Sequence, residues 1–379
     1  MNFEITDEQR MLRESTERLV RDHYTFQKRS SFFATPVPVL KDEWAPIGSL
    51  GLPGLLIPEA YGGMGLGFDA ALPVLEAFGN GVVIESFLAT AVLGAGLLAA
   101  AGSEAQCRAV LPAVAAGQAR VAAAHSEAHG RYWLNSVAAS AKPAKDGFVL
   151  AGKKVLVLGG NEAEHFLVAA RTSGKDDDEA GISLFLLERG MPGLTVIPYR
   201  HLDLSGGADL VMNDVHVCGD ALVGPVGSGL PLLQWAVDRA TAAICAEALG
   251  SLEMLIGLTI EHLRTRRAFG QHLGGFQVLQ HRAVDMVVAV EQARSMVLLA
   301  SRYADDPADA ARTQAISGAK VQMSKAARLV GKHAMQIFGA MAITEECPVG
   351  YFHKRLTVAD HLFGDREYHV RRYAEASGY

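Results

Sequence analysis

The chain has 379 residues, half of them hydrophobic and a fifth charged, with a net charge of −6. That is long enough for roughly two or three domains around an ample core, and too apolar for a disordered chain. The acidic balance argues against a nucleic-acid partner, with the Arg264-Thr265-Arg266-Arg267 cluster as the one local exception.

Cys107, Cys218, Cys245 and Cys347 lie far apart with no metal-binding spacing, which predicts buried free thiols in a reducing cytoplasm. The opening Met1–Arg10 is charged from the outset and predicts no signal peptide. Thr6 before Asp7, Glu8 and Gln9 predicts a helix N-cap, and Leu12, Leu19 and Val20 recur at helical spacing. Residues 31–40, with Pro36 and Pro38, predict a loop; Trp44–Leu56 predicts a helix and turn; the glycine-rich Pro58–Gly65 predicts a tight surface loop. A helical pattern returns from Ala70 to about Ala116. Within it the apolar run Phe87–Ala101 falls short of the roughly 20 residues that span a bilayer, so it predicts a buried helix and no membrane span.

The pattern changes near Arg120. Short apolar runs at 148–150, 155–158, 166–168, 182–187, 194–197, 210–212 and 215–217, punctuated by Gly, Pro, Asp and Lys, predict strands. Gly159-Gly160 predicts a turn and Lys175–Glu179 an exposed charged loop. From Gly227 the chain reads as long helices to Tyr379. The predicted fold is α+β and mainly α. An N-terminal helical domain covers 1–117, a middle barrel-like β-sheet domain 118–224, and a C-terminal helical bundle 225–379. Strands and helices do not alternate, and no G-x-G-x-x-G follows a strand, so a Rossmann fold is disfavoured.

Several motifs then fall in order along the whole chain. They are Phe3-Glu4-Ile5-Thr6-Asp7-Glu8-Gln9, Gly51-Leu52-Pro53-Gly54 through Pro58–Gly63, and Arg266-x-x-Phe269-Gly270. Phe276–His281 with Asp285-Met286, Gln336-x-x-Gly339 and Glu346-Cys347-Pro348 complete the set. In this order and spacing the chain resembles the acyl-CoA dehydrogenase family. The resemblance implies flavin adenine dinucleotide (FAD) as cofactor and α,β-desaturation of an acyl-CoA thioester as reaction. It also implies an electron-transfer flavoprotein as electron acceptor.

The resemblance carries over unevenly. Arg266, Phe269, Gln277, Gln336 and Gly339 match the residues that, in the family, reach across a dimer interface to the ADP end of the neighbour's FAD. Arg266 and Phe269 are three apart on a predicted helix, where a guanidinium fork suits a pyrophosphate and an aromatic ring suits adenosine. Gln277 can donate and accept, and glycine at 339 admits close backbone approach. The positions that face the flavin ring are altered. A family segment of the form Thr/Ser-Glu-x-x-Ala-Gly-Ser-Asp reads Ser126–Trp133 here, with Arg131, Tyr132 and Trp133 in place of small groups. Trp-Ile-Thr-Asn reads Leu156-Val157-Leu158-Gly159, and a leucine at 158 cannot hydrogen-bond a flavin edge. Tyr-Glu-Gly-Thr, whose Glu is the family's base, reads Leu362-Phe363-Gly364-Asp365, and the alternative base position falls on Ala240.

No catalytic residue is therefore assigned. Glu247, seven residues beyond Ala240 in an apolar stretch, is the remaining acid on that helix, and a paired structural carboxylate on the dimer interface is its favoured role. His125 and His129 flank Glu127, but on a strand-to-loop segment that spacing does not converge, so no metal is expected. His361, His369, Arg366, Arg371 and Arg372 predict a solvated or interface helix face.

The expectation is a catalytically incomplete subunit whose partner is a paralogous dehydrogenase chain. Together they would form an α2β2 assembly like those that desaturate steroid side chains. Two alternatives stay open: a non-catalytic scaffold or acyl-CoA-binding homologue, and a homo-oligomeric dehydrogenase using Glu247 as base.

Overall fold

The computed structural model describes residues 6–32, 37, 41–306 and 308–379. The Phe3–Ile5 part of the first motif and most of the loop predicted at 31–40 lie outside the described residues. The helices are α1 (Asp7–His23), α2 (Phe26–Ser31), α3 (Lys41–Ser49) and α4 (Phe68–Gly81), then a π-helical stretch Leu88–Gly94 running into α5 (Ala95–Ala101), and α6 (Glu104–Ala115). Strands follow: β1 (Val121–Ala124), β2 (Ser140–Ala144), β3 (Gly147–Leu158), β4 (His165–Arg171), β5 (Ile182–Glu188), β6 (Leu194–Arg200), β7 (Gly206–Cys218) and β8 (Leu222–Val223). The chain closes with α7 (Gly229–Thr265), a small hairpin of β9 (Arg267–Ala268) and β10 (Gln271–His272), and then α8 (Gln277–Tyr303), α9 (Asp309–Phe338), α10 (Pro348–His361) and α11 (Arg366–Ala376). A helical N-terminal part, a middle sheet and a helical C-terminal part are thus the observed order.

Packing divides the chain into two compact units. One gathers Met1–Ala34, Phe68–Val83 and Thr241–Tyr379; the other gathers Thr35–Gly67 and Ile84–Ala240. In the first unit Thr6 caps α1 through a capping box with Gln9, as the sequence predicts. Helices α4 and α7 meet backbone to backbone. A Cβ added at Gly79 would lie 1.8 Å from the Glu247 carbonyl oxygen, and one at Gly250 would lie 1.9 Å from that of Glu76. Only glycine admits this approach, and Ser251 Oγ donates to the Gly79 carbonyl there at 2.9 Å. Beside the crossing, Arg13 pairs with the buried Glu76 at 2.5 Å.

The second unit is built on an eight-stranded sheet in the order β6-β7-β3-β2-β4-β5-β8, with β1 pairing β4 in parallel. Leu150, Phe166, Val168, Phe185, Leu187, Leu210 and Met212 form its core. Strands β1 and β2 were not anticipated, because Val121-Ala122-Ala123-Ala124 and Ser140-Ala141-Lys142-Pro143-Ala144 carry little β propensity and gain their strand form from pairing.

The apolar run beginning at Phe87 is buried as predicted, with a π-helical first half. Helix α7 is long and apolar enough to cross a membrane by composition, but 67% of its most apolar window is buried inside the fold. Cys107, Cys245 and Cys347 are buried thiols; Cys218 is exposed at the end of β7, contrary to expectation.

Candidate cofactor-anchoring site

Arg266 and Phe269 are placed differently from the sequence expectation. Helix α7 stops at Thr265, so the two residues share no helix face. The chain turns at once into a hairpin that pairs Ala268 with Gln271 and Arg267 with His272. Phe269 and Gly270 form its two-residue loop, with φ of 52° and 85°. Positive φ at both loop positions marks a type I′ turn, whose first position is usually Asn, Asp or Gly. Phenylalanine in that conformation is uncommon, and this one stands 92% exposed at the tip. Among the described residues its ring neighbour is Phe276, edge-on at 6.3 Å, directly before Gln277 at the start of α8.

Arg266 is pinned through its backbone. Its amide donates to the His262 carbonyl, and its carbonyl accepts from the Leu273 amide, both at 2.9 Å. Its exposed guanidinium makes no hydrogen bond or ion pair among the described residues. Burial, with the Arg266 charge adding to it, holds the His262 imidazole below its usual range. His262 stacks on Phe338 at 4.1 Å, tying the end of α7 to the end of α9, where Gln336 is exposed and Gly339 caps the helix. Gly339 has φ 64° and ψ −143°, and no atom lies within 4 Å of a Cβ built on it. All five residues singled out in the sequence therefore stand at one end of the first unit.

This donor set fits the ADP half of the FAD that the resemblance implies. It offers an unpaired guanidinium for the pyrophosphate, an uncovered aromatic ring for adenosine, two exposed amide side chains, and a glycine with open space above it.

The strands expected to face the flavin ring do not fit that group. Leu156 sits in a bulge of β3, where the register with β7 slips between Lys154 and Val157; its φ is 55° and its side chain is 54% exposed. The Leu156 amide is already bonded to Tyr199 Oη at 2.9 Å. Burial, reinforced by Asp209, pushes the Tyr199 phenol up to about 12, so its hydroxyl stays neutral, accepting from Leu156 and donating to the Ala208 carbonyl. Ser126 lends its carbonyl to the Val155 amide at 2.9 Å. Neither Leu156 nor Leu158 carries a polar side-chain atom for a flavin edge.

Beneath this surface lies a pairing that sequence reasoning missed. Lys154 is fully buried and its ammonium meets Glu127 Oε1 at 2.5 Å. Glu127 also accepts from the amides of Ala138 at 3.0 Å and Ala139 at 3.1 Å. Burial opposes the Glu127 charge, but Lys154 and the two amides outweigh it and hold the carboxyl below the usual range. Burial lowers Lys154 to about 8, with Glu127 opposing. Burial, with Lys154 adding to it, brings His125 down to about 4 and keeps it neutral. Glu127, His129, Gly152 and Lys153 border a shallow cavity of about 220 Å³. The clue to Lys154 was strand alternation: Leu150, Gly152 and Lys154 fall on one face of β3, and Leu150 is core.

Comparison with known proteins supplies the classification. The N-terminal, middle and C-terminal domains of acyl-CoA dehydrogenase match residues 6–118, 122–215 and 227–378 in turn. The short-chain-specific acyl-CoA dehydrogenase of Megasphaera elsdenii is 30% identical over 79% of this chain and 80% of its own length. The chain belongs to the acyl-CoA dehydrogenase family. Among solved structures, PigA with FAD and proline matches at 25% identity with TM-score 0.92, over 100% of this chain and 99% of that one. The Tcur3481-Tcur3483 steroid ACAD matches at 25% identity with TM-score 0.87, over 99% of each chain.

Phe363 and Ala240 are the residues that the sequence expectation aligns with the family's base positions. Phe363 has φ 60° and lies in the link between α10 and α11. That link is held by buried groups: Lys320 Nζ donates to the Leu362 carbonyl at 2.7 Å and also to that of Ala359, and His369 contacts the Phe363 carbonyl at 3.1 Å. His369 is fully buried, correcting the expectation of a solvated helix face, and burial brings it down to about 3. Burial likewise lowers Lys320 to about 8. Ala240 is fully buried. Glu247 is buried and paired with Arg355 of α10 at 2.5 Å, a guanidinium–carboxylate contact that suits the structural role favoured from the sequence.

Proposed function

We propose that this acyl-CoA dehydrogenase chain is the cofactor-anchoring, base-lacking subunit of an FAD-dependent enzyme for α,β-desaturation of an acyl-CoA thioester. It works in the cytoplasm with a paralogous subunit, as α2β2, and passes electrons to an electron-transfer flavoprotein. A steroid side-chain thioester is the proposed substrate class. It is supported by the likeness to a steroid ACAD whose name pairs two chains.

The observation that carries this reading is an asymmetry. An unpaired Arg266 stands beside a 92% exposed Phe269, while Leu156, Leu158 and Phe363 occupy the ring and base positions. Exposing a phenylalanine at a strained hairpin tip has no folding benefit, so a ligand or partner covers it. When bound, the flavin supplies the hydride acceptor of the reaction. In this chain Arg266 holds the pyrophosphate, Phe269 covers the adenosine, Gln277 and Gln336 hydrogen-bond the linker, and Gly339 lets the backbone approach. The partner supplies the base and the ring-binding strand, because Phe363 and Ala240 cannot take a proton and Arg355 occupies Glu247.

Arg266→Ala in the chain co-expressed with its paralogue tests this. The expected product is an assembled complex that has lost most of its flavin absorbance. Full flavin occupancy in that variant overturns the anchoring role.

A further inference from the structure

The anchoring candidates come from two stretches of chain. Arg266, Phe269 and Gln277 lie on the run from the end of α7 through the hairpin to the start of α8. That run is braced within itself. A Cβ added at Gly274 would lie 3.0 Å from the Leu263 carbonyl oxygen of α7, and Gln280 Nε2 donates to the Gly274 carbonyl at 2.7 Å. Gln336 and Gly339 lie at the end of α9.

A ring pair joins the two stretches. His262, in the last turn of α7, stacks on Phe338 with centroids 4.1 Å apart and planes at 18°. The His262 carbonyl accepts from the Arg266 amide at 2.9 Å. Phe338 directly precedes Gly339 and lies close after Gln336. The stack therefore sets the spacing between the guanidinium side of the anchor and its glycine side.

For stacking alone any aromatic ring would serve. Histidine adds a nitrogen that can take a proton, and this one is half-buried and a helical turn from Arg266. Glu261 and Arg264 flank it on α7, Arg267 and His272 lie on the hairpin, and α9 faces it with the uncharged Phe338. Lys332 of α9, with Arg282 and Asp285 of α8, acts on His333 instead. Burial is the larger cause that holds the His262 imidazole below its usual range, and the charge that adds to it is that of Arg266. An anion on the Arg266 guanidinium reverses that push, because it offsets the cation and itself favours an imidazolium.

We propose that His262 is a further residue of the FAD anchor. Its ring, stacked on Phe338, holds Arg266 and Gly339 at their spacing, and its imidazole joins Arg266 in meeting the charge of the pyrophosphate. This rests on the cofactor-anchoring reading and deepens it: FAD binding takes up a proton at His262. The pyrophosphate keeps its charge across the range in which histidine titrates. Affinity for FAD therefore rises as pH falls through the bound-state value of the imidazole, by at most about tenfold per pH unit for one proton, and levels off below its free-state value.

The test is titration calorimetry of FAD into the flavin-stripped complex of this chain with its paralogue, at about pH 5.5 and about pH 8, in buffers of different ionisation heat. The wild type is expected to bind at least about threefold more tightly at the lower pH and to take up a proton. His262→Phe keeps a stacking ring without a titrating nitrogen. It is expected to match the wild type at the higher pH, to take up no such proton, and to lose the gain at the lower pH. His262→Ala removes the ring and is expected to bind about three- to tenfold more weakly at both pH values. Wild-type binding by H262A, or the wild-type pH profile in H262F, overturns the inference; H262F decides alone if H262A does not fold. Arg266→Ala separates the two readings. Wild-type FAD affinity in R266A overturns the anchoring role itself, whereas lost FAD in R266A with a wild-type profile in H262F overturns the part given to His262 alone.

Discussion

Replacing Lys154 by methionine isolates the energetics of the buried pair under the altered ring surface. The substitution keeps the length of the side chain and removes its charge. Glu127 then remains a buried carboxylate, its side chain 6% exposed, with the Ala138 and Ala139 amides at 3.0 and 3.1 Å and the half-exposed His129 at 3.9 Å as its remaining partners. Leaving one member of a buried ion pair alone costs about 3–5 kcal/mol. The two amide bonds place this case near the lower end, at about 3 kcal/mol. For a domain of this size about 1 kcal/mol corresponds to roughly 2–4 °C, so the expected fall in melting temperature is about 6–12 °C. Protonation offers the variant an escape, because burial favours the neutral acid once the ammonium is gone. Thermal melts followed by circular dichroism at pH 5 and pH 8 should therefore show the larger loss at pH 8. The double variant Glu127→Gln, Lys154→Met should recover most of it. A loss below about 1 kcal/mol, or one equal at both pH values, refutes the reasoning.

Two further outcomes follow from packing and charge. Gly250→Ala gains about 1 kcal/mol of helix propensity but sets a Cβ 1.9 Å from a backbone oxygen. The helices must separate, so a net loss of about 2 kcal/mol or more is expected in urea unfolding, and a stabilised protein would contradict the crossing. Burial pushes Glu76 up to about 7, against the opposing pull of Arg13. The 2.5 Å contact with Arg13 points the other way, but Arg13 is 34% exposed and screened by water, so burial decides. The folded state then keeps a proton that the unfolded chain releases above about 4.5, and stability falls as pH rises from about 4.5 to 7. Glu76→Gln should flatten that slope in melts across the interval; an unchanged slope rules Glu76 out as its source.

What the sequence disclosed depended on whether the signal was local. Thr6 with Gln9 announces a capping box within four residues, and the structure has it. The long helices of the C-terminal part, and the core strands β4 and β5 as short continuous apolar runs, were legible from local sequence pattern. Ala122–Ala124 became a strand because β4 lies beside it, and no property of alanine signals that. Lys154 was hidden by Lys153: two adjacent lysines read as one polar patch, while the pleat sends one to solvent and one to the core. Arg266 and Phe269 were expected on one helix face, but α7 stops at Thr265 and the two are set along a hairpin. A phenylalanine in a type I′ loop breaks the usual turn chemistry, so the hairpin left no trace in the residue types.

The crossing of α4 with α7 also sets an order of events during synthesis. Helix α4 belongs to a unit whose helices α1 and α2 are made before it and whose other helices lie beyond residue 240, with the sheet made in between. At about 5–20 residues per second, α4 leaves the ribosome on the order of ten seconds before Gly250 can meet it. Through that interval Leu72, Val74, Leu75 and Phe78, all core in the finished fold, have only α1 and α2 of their own unit to pack against. A ribosome-bound chain of this length is therefore a natural client for a holding chaperone, and a product truncated at residue 240 would keep α4 without the later helices of its unit for good.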